Sequence, residues 1–207
     1  MHPNPAFRQT PRDRNLAFAR ARGRRHPVDQ RPRRPARRTS PFLLNDDASR
    51  ADLHLVRSNL IARATLRASA LIAISGTDAC ISPDWYGPHS EVPDQVPTWN
   101  YVAVHLHGHL EALPEDAMRG DVDALSAEHE ARIAGKRSWT RAKMTEGAMP
   151  RMMRMILPFR FRVAPVEGTG KLNQNKTGEI RSRAAQALSQ GNASAQEIAA
   201  LIRRDLG

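Results

Sequence analysis

Cysteine is nearly absent from this chain: Cys80 is the single one among 207 residues. Neither an internal disulfide nor a cysteine-built zinc cage can form, so packing alone must hold the fold. No apolar run approaches the roughly 20 residues that a bilayer-spanning helix needs. The opening MHPNPAFR also lacks the apolar stretch of an export signal, and the expectation is a soluble, cytoplasmic protein with no membrane association. Lysine is missing from the first 44 residues, where twelve arginines stand against only Asp13 and Asp29. That segment holds +10 of the formal net charge of +11, so the remainder is almost neutral. High net charge ordinarily points to nucleic acid or an anionic surface, but here the charge is confined to one run.

Aromatic residues make up only 5% of the chain, yet WYGPHSEVPDQVPTWNY brings Trp85, Tyr86, Trp99 and Tyr101 together. Such a group is either core or, because Pro, Asp, Gln and Asn are interleaved with it, a wall for a planar polar ligand. The segment TWNYVAVHLHGHLEAL alternates as a strand, with Val102, Val104 and Leu106 on one face and Tyr101, His105, His107 and His109 on the other. Three imidazoles on one face invite a metal, but neighbours two apart on a strand are roughly 7 Å from each other, too far to share one tetrahedral ion. No metal site is expected. Asp84, Asp94, Glu115 and Asp116 are loop carboxylates with no pairing that marks general acid or base work, and no Ser-His-Asp order or phosphate-cradling glycine loop is present. KLNQNK offers amides and two ammonium groups, suited to an anionic ring or a phosphate, or else to a solvated loop.

The remaining pattern predicts further elements. PFLLNDDASRADLHLVRSN reads as a strand, a turn and a second strand at Asp52 to Arg57. SALIAISGTDACIS reads as a hairpin, Ala70 to Ile74 and Ala79 to Ser82 around a Ser-Gly-Thr-Asp turn. A loop spans Pro83 to Pro97, and a strand Phe159 to Val163 is followed by a turn at EGTG. Helices are predicted at Asp121 to Ala134, Met149 to Ile156, Thr177 to Ser189 and Ser194 to Asp205. Strands mostly precede helices, so the expected fold is α+β, mainly β: an antiparallel barrel with packed helices and a helical C-terminus.

MHPNPAFR, LIAISGTDACISPDWYG, VPTWNYVAVHLHG, RMMRMILPFRFRV and KLNQNK, in this order, resemble the PaiB-type family of FMN-binding negative transcriptional regulators. The resemblance implies a split β-barrel of the flavin-reductase and pyridoxamine-phosphate-oxidase kind, and a homodimer holding FMN noncovalently between subunits. It divides the chain into an N-terminal helical segment (1–21), a basic run (22–40), the FMN-binding barrel (41–176) and C-terminal helices (177–207). Carried onto matching positions, it implies flavin contacts from His54, Arg57 and Asn59, from Trp99, Asn100 and His105, and from Lys171, Gln174 and Asn175, with Arg57 facing the phosphate. Three positions depart from the family pattern: Leu60 stands in place of Pro, Cys80 in place of Tyr, and Gly170 in place of Trp.

The run GRRHPVDQRPRRPARRTS occupies the place where the family has a strand of the type G-T-L-x-x-N. Its prolines cannot donate to a ladder and it shows no alternation, so the expectation is that it forms no barrel strand. One choice of synonymous codons for RHPVDQR, read one base later, encodes Gly-Thr-Leu-Ser-Ile-Asn-Ala, and residues 22–40 are therefore read as translated out of frame. Its rival is a disordered basic arm that grips DNA phosphates. Beside the flavin-binding regulator stands a second functional reading, a flavin-dependent oxidoreductase using reduced nicotinamide.

Overall fold

The computed structural model describes residues 1–22, 24–29, 39–63 and 68–206, with the backbone alone for 24–29 and 68. The chain divides into two compact units. A barrel unit comprises Leu16–Ile74 and His105–Val166; a helical unit comprises Met1–Asn15, Ser75–Val104 and Glu167–Gly207.

In the barrel unit six strands close in the order β1-β2-β3-β6-β5-β4. They are β1 (Arg24–Asp29), β2 (Ser40–Leu44), β3 (Arg50–Val56), β4 (Ala68–Ile81), β5 (Thr98–Ala112) and β6 (Ile156–Lys171), of which the last three continue into the helical unit. Alternation decides what faces inward. In β2, Phe42 and Leu44 are buried; in β3, Ala51, Leu53 and Leu55 are. The antiparallel register sets Leu53 opposite both Phe42 and Phe159, and Ala51 opposite Leu44 and Phe161. These cross-strand groups are the core of the unit, and each large side chain so buried contributes about 1.5–3 kcal/mol. Where β5 meets β6, Gly108 admits no side chain, since a Cβ there would overlap the carbonyl oxygen of Arg162. Helix α1 (Arg12–Arg22) ties down the β2–β3 turn through Arg20, which donates to the carbonyls of Asn45 and Asp46 at 2.8 and 2.6 Å. Helix α2 (Met118–Ala131) packs on β2 and β3, and the short α3 (Ala148–Met153) precedes β6.

Three expectations change. Arg24–Asp29 is a ladder-paired strand: Arg24 and Arg25 pair with Pro41 and Ser40 of β2, and His26 to Asp29 pair with Ala73 to Ala70 of β4. The two ladders occupy different stretches, so Pro27 has a paired neighbour on one flank only, and a missing N–H is tolerated where no partner waits for it. Residues 23 and 30–38 of the basic run lie outside the described residues. Second, the expected hairpin at Ala70–Ser82 is one continuous strand. Thr77 is buried and bonds the hydroxyl of Ser194 at 2.6 Å, while Asp78 N–H donates to that same hydroxyl at 3.1 Å, so polar partners outside the sheet hold the would-be turn extended. Third, β6 runs straight through EGTG. Gly168 serves close approach instead of turning, because a Cβ there would overlap the Asn15 amide.

The helical unit is built on α4 (Gly178–Leu188) and α5 (Ala193–Asp205), close to their predicted bounds. Thr177 caps α4 by accepting from Ile180 N–H at 3.4 Å, and Asn192 caps α5 by accepting from Ala195 N–H at 3.0 Å. Ala184, Ala185 and Leu188 of α4 pack with Ile198, Ala199 and Ile202 of α5, and with Ile81, Tyr86 and Leu172. The small residues let the helices approach closely, and the core excludes water from their facing stripes. Three of the four helix arginines are engaged by the unit itself, although Arg203 and Arg204 remain exposed. Arg181 is buried and pairs with Asp205 at 2.6 Å, Arg183 donates to Tyr86 O, Glu91 and Glu179, and Arg203 donates to Ala185 O.

Candidate functional site

The residues singled out by the family pattern fall into two groups, one per unit. In the helical unit the PTWNY start of β5 and the KLNQNK end of β6 meet directly, because Lys171 Nζ donates to Thr98 Oγ1 at 2.6 Å. The ammonium also lies 5.8 Å above the Phe7 ring, which the MHPNPAF segment brings to the spot. Asn4 accepts from Ala6 N–H at 2.9 Å to start that turn, and His2 meets the Phe7 ring edge-on at 4.8 Å. Among the described residues no carboxylate pairs with Lys171, and burial pushes its pKa down. A half-buried cation whose contacts are a hydroxyl and a ring face can accept an anion.

Asn100 shares the strand face of Thr98, being two residues on. It is wholly buried, and neither end of its amide makes a hydrogen bond. Leaving a buried amide unpaired costs about 1–3 kcal/mol per group, so this position is held against a penalty. Gln174 is differently employed: its Oε1 accepts from Leu172 N–H at 2.8 Å and its Nε2 donates to Gly170 O at 2.5 Å, so it shapes the loop. Asn175 is exposed. The loop also contains Asn173, which the family pattern left unassigned. Its φ of 61° is left-handed, a conformation asparagine tolerates, and it is buried with its Nδ2 making no hydrogen bond among the described residues. Burial raises the Tyr86 pKa. The legible signal was the residue type, since Asn is enriched at such turns. Trp99 is 52% exposed and points to the opposite face of β5 from Thr98 and Asn100. It lines a separate open cleft with Trp85 and Cys80.

In the barrel unit, His54 on β3 is half-buried on the outer face beneath α2. Burial pushes its pKa down, its Nδ1 has no hydrogen-bond partner, and it lines a cavity of about 520 Å³ with Leu125, His129 and Trp139. Arg57 is exposed and already engaged, giving a bidentate pair to Glu115 at 2.9 and 2.9 Å and a bond to Arg154 O at 3.1 Å. The Glu115 pair raises the Arg57 pKa and lowers that of Glu115. Asn59 is buried as a turn cap, accepting from Ile61 N–H at 3.0 Å. His105 stacks edge-on against His107 with centroids 6.2 Å apart. The PTWNY and KLNQNK motifs are thus brought together within one unit, whereas Trp99 and Asn100, adjacent in sequence, are parted by the strand itself.

Comparison with known proteins fits this arrangement. The chain is 26% identical over 137 residues to "Protease synthase and sporulation protein PAI 2" of Bacillus subtilis, an alignment that takes in 66% of this chain and 63% of the relative. The chain thus matches less than two thirds of that relative's length. Among solved structures, it resembles an FAD and heme binding protein from Mycobacterium smegmatis, with a TM-score of 0.55 and 17% identity over 80% of this chain and 73% of the other. It also resembles a flavocytochrome from Azotobacter vinelandii, with a TM-score of 0.51 and 12% identity over 82% and 72% of the two chains. At these identities the likeness establishes the fold, a split barrel with packed helices, and nothing finer. Residues 1–165 match the family described as "Putative FMN-binding domain", and on that match over most of its length the chain belongs to this FMN-binding family.

Proposed function

We propose that the chain binds FMN noncovalently through the joined ends of β5 and β6, as the flavin-binding part of a PaiB-type regulator. The observation that carries this reading is Lys171 on Thr98, two residues from Asn100: a half-buried ammonium with no carboxylate partner and a buried amide with no hydrogen-bond partner, both among the described residues. FMN presents a phosphate dianion and a ring whose polar edge both donates and accepts, so the chemistry of these two side chains matches it. FMN when bound supplies one- or two-electron transfer. The chain's own residues bind and orient: Lys171 supplies charge, Asn100 supplies an amide on a rigid strand, and Gln174 and Asn173 hold the loop between Leu172 and Lys176. Gly170, where the family pattern has Trp, is buried, and a Cβ there would meet Thr10 Oγ1 at 3.2 Å, so a larger side chain would require its neighbours to shift. Arg57 is excluded from the phosphate role in this reading, since Glu115 already neutralises it.

The test is a titration of FMN followed by quenching of flavin fluorescence. Lys171→Met weakens binding by tenfold or more, on the scale of about 1.5–3 kcal/mol for a hydrogen bond to a charged group, and Arg57→Met leaves it unchanged. Unaltered affinity in Lys171→Met, or no saturable quenching by the parent protein, removes the reading.

The regulatory role rests on the resemblance to the PaiB-type family alone. On α4 and α5, Arg181 and Arg183 are paired with carboxylates, and only Arg203 and Arg204 at the end of α5 are exposed, which is little surface for recognition. Homodimer formation, also part of the proposal, is supported by a patch on the barrel unit where Val56, Leu60, Met152 and Met155 are all large, apolar and exposed. They are neighbours: Arg57 N–H donates to Met155 O at 2.8 Å, Met155 N–H to Met152 O at 3.1 Å, and Asn59 N–H to Val56 O at 2.9 Å. Contiguous apolar surface of this kind is what a partner covers.

A further inference from the structure

The helical unit carries a second concavity that the flavin reading does not use. It is an open cleft of about 580 Å³, within the range of about 300–1,000 Å³ typical of small-molecule sites. Its walls are Asp78 and Cys80 of β4, the indoles of Trp85 and Trp99, and the segment joining α4 to α5. Trp99 is half exposed and Trp85 is anchored against the helical core, so one indole is free to receive a ring and the other is held in place.

Charge decides what kind of ring. The chain carries a formal +11, yet among the described residues Asp78 is the one charged side chain lining this cleft, with no lysine or arginine. Two of the polar side chains around the rim are already committed: Asn192 caps α5, and the Ser194 hydroxyl accepts from Asp78 N–H and bonds Thr77. What remains for a ligand is two electron-rich indoles, a carboxylate and the neutral Gln190 amide at the rim. Indole is the best aromatic partner for a cation, and a carboxylate beside it adds attraction for positive charge and repels anions. A flavin phosphate is disfavoured here on the same grounds. Strand alternation also separates this cleft from Asn100 and Lys171, since Trp99 projects from the other face of β5.

We propose that this cleft binds a planar aromatic cation of the N-alkylpyridinium class, its ring against Trp99 and its charge beside Asp78. The proposal does not depend on flavin binding. Three probes sharing one ring, differing in charge and by at most a methyl group or the carboxamide nitrogen, test it: 1-methylnicotinamide, neutral nicotinamide and anionic nicotinate. Two readouts are used, tryptophan fluorescence and the rate at which iodoacetamide alkylates Cys80, the sole thiol and an exposed one. The expected result is saturable quenching and slowed alkylation with 1-methylnicotinamide, affinity about tenfold weaker for nicotinamide, and none for nicotinate. Asp78→Asn removes the preference for the cation while keeping the ring's binding. Trp99→Leu, at an exposed position where folding is little affected, abolishes the protection of Cys80. Equal affinity for the three probes, no saturation with any, or full protection of Cys80 in Trp99→Leu would overturn it.

Discussion

Gly108 shows how one residue can decide a junction. Its neighbours on β5 alternate as any strand does, yet a side chain at 108 would overlap the Arg162 carbonyl oxygen, with Phe161 Cζ 2.9 Å away on the same side. Neither obstacle is the free end of a flexible chain, so relief requires backbone movement. Gly108→Ala is expected to destabilise the protein by about 1–3 kcal/mol, read as a lower urea midpoint at unchanged slope; a neutral result would mean that β5 and β6 are further apart. His54 makes a different case. Its folded pKa lies below the ordinary 6.5 because burial disfavours the imidazolium. The unfolded chain therefore binds more protons in this window, and stability falls as pH drops below about 6.5 toward the folded value. Stability curves measured between pH 5 and 7.5 should show that loss, and His54→Asn should flatten it; an identical slope in the variant would assign the loss to another group.

At the scale of elements, the helices were readable from their ends and the strands were not. Asn192 and Thr177 announce α5 and α4 because a side-chain oxygen that satisfies an N-terminal N–H is a local, sequence-encoded device. Asn192→Ala is expected to cost about 1 kcal/mol in thermal denaturation while Asn192→Asp retains most of the stability; equal losses in both would show that the cap is not what Asn192 contributes. Strand ends failed for the complementary reason. Ser75 to Asp78 and Glu167 to Gly170 have the composition of turns, but Ser194 and Asn15, remote in sequence, supply hydrogen bonds or demand space that keeps them extended. The same holds for Arg24–Asp29, whose pairing with β2 and β4 follows from what the barrel offers its backbone. With that strand in place, an out-of-frame origin for residues 22–40 rests on codon choice alone, and the nucleotide sequence of the gene decides it.

For the whole molecule, surface composition sets behaviour. Among the described residues no helix is long and apolar enough to cross a membrane, and the arginines of the first 44 residues dominate the net charge. The exposed Val56, Leu60, Met152 and Met155 lead to the expectation of a dimer burying roughly 800 Å² per partner. Sedimentation should show a dimer for the parent protein and a monomer for Leu60→Glu combined with Met155→Glu. A parent monomer at all concentrations, or a dimer that survives both substitutions, would move the interface elsewhere.

The sequence by itself determined the class of fold, the two C-terminal helices, the inward face of β2 and β3 and the motifs that mark the flavin family, because alternation, caps and residue identity act over a few neighbours. Tertiary structure alone decided that Lys171 lies on Thr98 with no carboxylate beside it among the described residues, and that Arg57 is spent on Glu115. Each of those facts depends on which strands become adjacent, and adjacency between residues far apart in the chain is fixed by packing and backbone pairing, which no local pattern of residues encodes.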